Sequence, residues 1–257
     1  MKIFIDTANL QEIHEACSWG IIDGLKTNPS LIRKAVEADG TGQVDMGEHI
    51  KEICQAVPGP VSLEVVGLCT ADMIDEAMVL YERFNPIHQN VVIKIPVNPN
   101  PGDRESADFD GLKAISELAK RSVPVNATLV MTPEQALLAS KAGARYVSPF
   151  MGRVDDYGKQ QQGLADASSS NQSGKQLVGS IRRIFENYHT VCEIIAASVR
   201  SVGHARAAAE AGAQIATIPF PVLREMVCHP KTEEGIRQFV EDIVPEYAVL
   251  FKTSKKR

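Results

Sequence analysis

The sequence predicts a (β/α)8 barrel with an extra helix at its C-terminal end. Three observations carry that reading. Short apolar runs alternate with amphipathic helical stretches along the whole chain, the order that produces parallel strands joined by βαβ crossovers. Eight such units fit within 257 residues, and barrels of roughly 250 residues are routinely single domains. Polar residues collect at the C-terminal ends of successive strands, where barrel enzymes build their sites. Residues 1–257 are therefore read as one domain, with a doubly wound open sheet as the alternative arrangement of the same elements.

The elements follow in order. Ile3–Ile5 is the first strand and Leu10–Ser18 the first helix. Gly24–Lys26 is the second strand, and Asn28-Pro29-Ser30 after it is a turn and helix start. A helix over Met46–Ala56 leads to the strand Val61–Val66, and Ala71–Tyr81 leads to Val91–Pro96. Residues 98–109 (NPNPGDRESADF) are polar and turn-rich, and predict a long loop. Gly111–Lys120, Pro124–Thr128, Pro133–Ala142 and Tyr146–Ser148 continue the alternation. Residues 155–175, with three consecutive glutamines and three consecutive serines, predict a mobile loop. Val178–Tyr188, Cys192–Ala197, Val202–Ala211, Gln214–Ile218 and Phe220–His229 complete the eighth unit. A single helix over about Glu233–Phe251 follows Pro230, and the basic tail 252–257 is expected to fray. A near-repeat, SKAGARYVSPF at 140–150 and AEAGAQIATIPF at 209–220, reads as helix, glycine C-cap, strand in both copies.

Composition narrows the function classes. Hydrophobic residues make up 44% and charged residues 23%, which is globular and not disordered. A net charge of −5 gives no nucleic-acid footprint. No apolar run approaches the ~18 residues of a membrane span, and Asp6 comes too early for a signal peptide. Five scattered cysteines without CxxC spacing read as free thiols in a reducing cytoplasm. The six histidines show no HxH or HExxH spacing, so no metal site is expected. Nucleotide-binding glycine motifs and a GxSxG elbow are absent.

Strand parity then selects the lumen. In VVIKIPV, Lys94 shares a side with Val92 and Pro96. The same exercise places Asp6, Lys26, Ser62, Glu64, Asn126, Thr128 and Ser148 inside, with Asn28 just past strand two and Ser198 and Arg200 just past strand seven. Each has a plainer reading. Lys94 and Glu64 could be only a core ion pair, since buried lysines are rare unless paired. Asp6 could cap the helix at Leu10. Asn28 could be only a turn residue. Arg153 and Arg200 could be ordinary surface arginines.

The motifs themselves resemble a known family. FIDTAN at 4–9, TNPSLI at 27–32, Glu64, VVIKIPV at 91–97, VNATLVMTPEQALLASKAGARYVSPFMGRVDD at 125–156, AASVRS at 196–201 and IATIPFPVLREMVCHP at 215–230 are similar, in that order, to the short transaldolases and fructose-6-phosphate aldolases. The resemblance implies class I aldol chemistry of the pentose phosphate type, without a cofactor. A dihydroxyacetone unit would pass from a ketose phosphate to an aldose phosphate through a lysine Schiff base. Lys94 would be that lysine, Asp6 the acid/base, and Glu64 and Thr128 the handlers of a catalytic water. Asn28 and Asn126 would hold donor hydroxyls, Ser148 would line the site, and Arg153, Ser198 and Arg200 would bind phosphate. Apolar walls, Val92 and Ile218 among them, would disfavour a charged Lys94. The family also implies a homo-oligomer, a pentamer or decamer, with the C-terminal helix reaching a neighbour.

Two points stay open within the resemblance. An aldolase would release free dihydroxyacetone, but that branch tends to carry glutamine where this chain has Glu64, which can shuttle protons. A non-catalytic sugar-phosphate-binding barrel is disfavoured by the joint presence of Lys94, Asp6, Glu64, Asn126 and Thr128. The sharpest departure is Lys26: most members read TTNPS where this chain reads KTNPS. Lys26 could pair with Glu64 or Asp6, contact an anionic group of an unusual substrate, or twist out to solvent.

Overall fold

The computed structural model describes residues 1–39, 45–98, 109–161 and 173–252. Its eight parallel strands close in sequence order into a barrel, so the open-sheet alternative falls. The strands are β1 (Lys2–Asp6), β2 (Gly24–Lys26), β3 (Val61–Glu64), β4 (Val91–Pro96), β5 (Val125–Val130), β6 (Tyr146–Pro149), β7 (Glu193–Ala196) and β8 (Ile215–Ile218). The helices are α1 (Leu10–Ser18), α2 (Pro29–Asp39), α3 (Met46–Ala56), α4 (Thr70–His88), α5 (Asp110–Lys120), α6 (Pro133–Lys141), α7 (Met151–Gln161), α8 (Gly174–Asn187), α9 (Val202–Glu210), α10 (Phe220–Glu225), α11 (Pro230–Glu241) and α12 (Pro245–Lys252).

Local chemistry starts the helices where the chain needs them. Asn9, Asp45 and Ser201 cap α1, α3 and α9 by accepting from first-turn amides. Thr132 with Gln135 and Ser173 with Gln176 form capping boxes on α6 and α8. The near-repeat behaves as expected. Gly143 and Gly212 follow α6 and α9 with φ of 103° and 84°, the left-handed conformation that ends a helix at low cost only in glycine.

Alternation along the strands separates two cores. One set of side chains, including Ile5, Leu25, Leu63, Ile93, Val147 and Ile218, packs outward against the helices. The other set, Phe4, Val92, Tyr146, Ile195 and Ile215, forms its own buried cluster. Each member of that inner cluster has the strand parity of the lumen. On β1, β4, β6 and β8 it lies two residues before Asp6, Lys94, Ser148 and Thr217, so the cluster floors the barrel beneath the polar residues. Gly24 makes room for this floor: a Cβ there would sit 2.5 Å from Phe4 Cε1. Ile218 belongs to the outer core, which corrects its expected place in the lumen wall; Thr217 takes the lumen position on β8.

Two further corrections concern helices. The loop expected over 155–175 is helical at both ends, because α7 runs to Gln161 and α8 begins at Gly174; residues 162–172 lie outside the described residues. The single terminal helix is two, α11 and α12, separated before Pro245. A proline restricts the residue before it away from helical geometry, and Val244 is that residue. The loop expected over 98–109 falls mostly on residues 99–108, outside those described, as do 253–257 of the tail. All five cysteines are unpaired, and no helix among the described residues is long and apolar enough to cross a membrane.

Candidate active site

Lys94 is the centre of the lumen. Its side chain is only 1% exposed. Nζ donates to Glu64 Oε2 at 2.6 Å and to the Thr27 carbonyl at 2.9 Å. Register explains the first contact, since Glu64 ends β3 directly beside Lys94 on β4. Burial first, and then the charge of Lys26, push the Lys94 ammonium down from its ordinary value against the opposing pull of Glu64 and Asp6, to about 8. The core ion pair is thus present. It is an ion pair whose lysine gives up its proton far more readily than a free lysine, which an ordinary structural pair does not.

Around it the polar residues divide into those that are satisfied and those that are not. Ser148 Oγ donates to Asn126 Oδ1 at 2.8 Å, and Asn126 Nδ2 donates to Ser62 Oγ at 3.4 Å. This chain fixes the Asn126 amide across β3, β5 and β6. By contrast Asp6 Oδ1, Thr27 Oγ1, Thr128 Oγ1 and Thr217 Oγ1 are buried with no hydrogen-bond partner among the described residues. Unsatisfied buried polar atoms are costly, and three of them with lumen parity, Asp6, Thr128 and Thr217, mark a site built for a polar ligand. Asp6 is not the cap of α1, because Asn9 performs that task; the plainer reading of Asp6 falls.

The rim residues sit differently. Asn28 Oδ1 accepts from Leu31 N at 3.0 Å, so Asn28 does start α2, as its turn reading expected, while its side chain is half-buried. Ser198 adopts a left-handed φ of 58°. Gly152 lies so close to this turn that a Cβ would come within 2.4 Å of the Ser198 carbonyl and 2.8 Å of Arg200 Nε. The start of α7, which carries Arg153, is thereby held against the β7–α9 connection, which carries Arg200. Arg200 is half-exposed, with its guanidinium on Asp156 at 2.7 Å. His204 and Asp155 lie 3.3 Å apart beside it.

Lys26 is inside the barrel and 2% exposed, which removes its escape to solvent. Its ammonium lies 4.7 Å from the centroid of the Phe150 ring. No carboxylate among the described residues is within ion-pairing distance of it, and the pairing with Glu64 or Asp6 expected as one possibility is not formed: Glu64 is engaged by Lys94. Arg153 stacks on the same ring, its Cζ 5.0 Å from the centroid. Phe150 is the residue sequence reading missed, because an aromatic at a strand end looks like core. Thr217 was missed too, although parity on β8 was enough to find it.

Comparison with known proteins gives the family. The profile of the transaldolase/fructose-6-phosphate aldolase family matches residues 3–254. The chain belongs to that family. A probable transaldolase of Caldicellulosiruptor saccharolyticus is 48% identical over 243 residues, 94% of this chain and 96% of the relative. A probable transaldolase of Chlorobium phaeovibrioides is 45% identical over 243 residues, covering 94% and 97%. A probable transaldolase of Thermoplasma volcanium is 44% identical over 242 residues, covering 94% and 95%. Family membership thus rests on the whole barrel and not on a shared motif.

Proposed function

We propose that the protein is a transaldolase that carries a dihydroxyacetone unit on Lys94 from a ketose phosphate to an aldose phosphate. The observation that carries this reading is the buried Lys94 with its proton affinity lowered to about 8, 2.6 Å from Glu64. An amine attacks a carbonyl only when neutral, and a free lysine with pKa ~10.4 is almost wholly protonated at pH 7.

The neutral Lys94 amine adds to the ketose carbonyl, and Glu64 with Thr128 moves the protons that turn the carbinolamine into an iminium and water. Asp6 removes the proton of the hydroxyl next to the scissile bond. That C–C bond breaks, its electron pair enters the iminium to give an enamine, and an aldehyde leaves. The enamine then attacks the acceptor aldehyde, Asp6 returns the proton to the new alkoxide, and water releases the product from Lys94. Asn28, Asn126 and Ser148 bind the hydroxyls of the donor. Arg153, Ser198 and Arg200 bind its phosphate, for which planar, permanently charged guanidinium groups are suited. The chemistry needs no cofactor. The assembly is a homo-oligomer, a reading supported by α11, which contributes no buried residue yet exposes Ile236, Phe239 and Val240.

The test is borohydride reduction in the presence of fructose 6-phosphate, followed by peptide mass analysis. A dihydroxyacetone-sized adduct at Lys94, lost in Lys94→Ala, is the expected result. An adduct elsewhere with Lys94→Ala still active overturns the assignment. Parallel measurement of free dihydroxyacetone separates transfer from release: release as fast as transfer replaces this reading with that of an aldolase.

A further inference from the structure

Lys26 poses a physical problem that the proposed reaction does not use. A lysine ammonium is strongly hydrated, and burying one away from water is costly unless it is paired. Here Lys26 is 2% exposed, and no carboxylate among the described residues pairs with it. Its aromatic contact with Phe150 compensates only in part. The topology makes the position more telling. Lys26 ends β2, and Phe150 follows β6; in an eight-stranded ring closed in sequence order these strands face each other across the barrel. The Lys26 side chain therefore reaches over the lumen, above the floor and beside Lys94, whose proton affinity its charge lowers. A compound bound covalently at Lys94 would share the lumen with this ammonium.

Resting on the Schiff-base reading above, we propose that Lys26 forms an anion subsite inside the lumen. It recognises a carboxylate or phosphate on a three-carbon ketone held on Lys94, which widens the carried unit beyond the neutral dihydroxyacetone of the proposed transfer. This subsite is distinct in place from Arg200, which Asp156 holds at the exposed mouth. Phe150 forms one wall of the subsite, with Arg153 also stacked on its ring. The alternative anions, Glu64 and Asp6, do not take the place of a ligand: Glu64 is committed to Lys94, and Asp6 keeps a buried oxygen without a partner.

The experiment compares three ketones of the same carbon count by borohydride trapping: neutral dihydroxyacetone, hydroxypyruvate with a carboxylate, and dihydroxyacetone phosphate. Adduct at Lys94 is quantified against ketone concentration in the wild type, Lys26→Thr and Lys26→Met. The wild type is expected to capture one or both anionic ketones at least tenfold more efficiently than dihydroxyacetone, and both variants to lose that preference while still trapping dihydroxyacetone at Lys94. Which anionic ketone is favoured identifies the group. An equal preference in wild type and variants, or an adduct on Lys26 itself, overturns the anion subsite and leaves the Schiff-base reading standing. Absence of a Lys94 adduct with every ketone and with fructose 6-phosphate overturns the Schiff-base reading and the subsite with it.

Discussion

Two lysines with one carboxylate partner between them set the electrostatics of the lumen. Lys94 is expected to impose an acidic limb on kcat/KM, which rises with pH through about 8 because only the neutral amine reacts. Lys26, Glu64 and Asp6 are the charged groups that act on it. Lys26→Thr removes a cation, eases protonation of Lys94, and should move that limb to higher pH in a pH–rate profile. The same shift acts on stability. Folded Lys94 releases its proton before the unfolded chain does, so from about 8 up to ~10.4 the unfolded state binds more protons and the fold gains stability as pH rises. At the rim, Arg200→Ala should raise the KM of a phosphorylated donor about tenfold to a hundredfold, since a charge-assisted hydrogen bond contributes roughly 1.5–3 kcal/mol. The KM of dihydroxyacetone, which has no phosphate, should stay the same; equal loss for both would make Arg200 structural. Sequence reading reached Lys94, Glu64, Asp6 and Asn126 because a polar residue of lumen parity stands out in an apolar strand. It left Lys26 among three alternatives, because where a long side chain goes beyond its Cβ depends on what lies across the barrel, and Phe150 is 124 positions further along the chain.

At the scale of elements, the strands were legible and two helices were not. Apolar runs with a period of two identify strands within a residue or two. α7, with the sequence MGRVDDYGKQQ, offers two glycines, few apolar positions and good turn formers, so it reads as loop; tertiary packing against α8 overrides that local preference. α2 begins with the turn signal of Asn28-Pro29, and its apolar stripe is thin. The break before Pro245 was written in the sequence, but the apolar periodicity on both sides of it masked the stop. One strand residue carries a sharp consequence. Gly24→Ala would drive a methyl group into the Phe4 ring, an overpacking that costs typically 1–3 kcal/mol. Urea unfolding should show that loss. Phe4→Leu in the Gly24→Ala background should recover part of it by vacating the ring; no recovery would place the fault in the β2 backbone.

The whole molecule exposes a feature that a barrel alone does not need. α11, α12 and the connection between them carry Ile236, Phe239, Val240, Ile243, Val244 and Val249 at the surface, each 44–74% exposed. So many large apolar residues left exposed on one stretch point to an interaction face. Phe239→Asp should lower the assembly state measured by light scattering while leaving the barrel folded by circular dichroism. An unchanged mass would show that this face does not join copies of the chain.

The inner cluster of Phe4, Val92, Tyr146, Ile195 and Ile215 has a kinetic consequence. It stops the lumen from below, so there is a single door. On the proposed transaldolase reading, whatever is cut from the donor leaves through the opening by which the next reactant arrives. On that reading, the enzyme alternates between an empty form and one loaded on Lys94. Initial-rate plots of reciprocal velocity against reciprocal donor concentration should give parallel lines as the acceptor is varied, the mark of a ping-pong order. High acceptor concentrations should then slow the reaction by filling the empty form. Lines that converge would mean that both reactants bind at once, and would overturn that order.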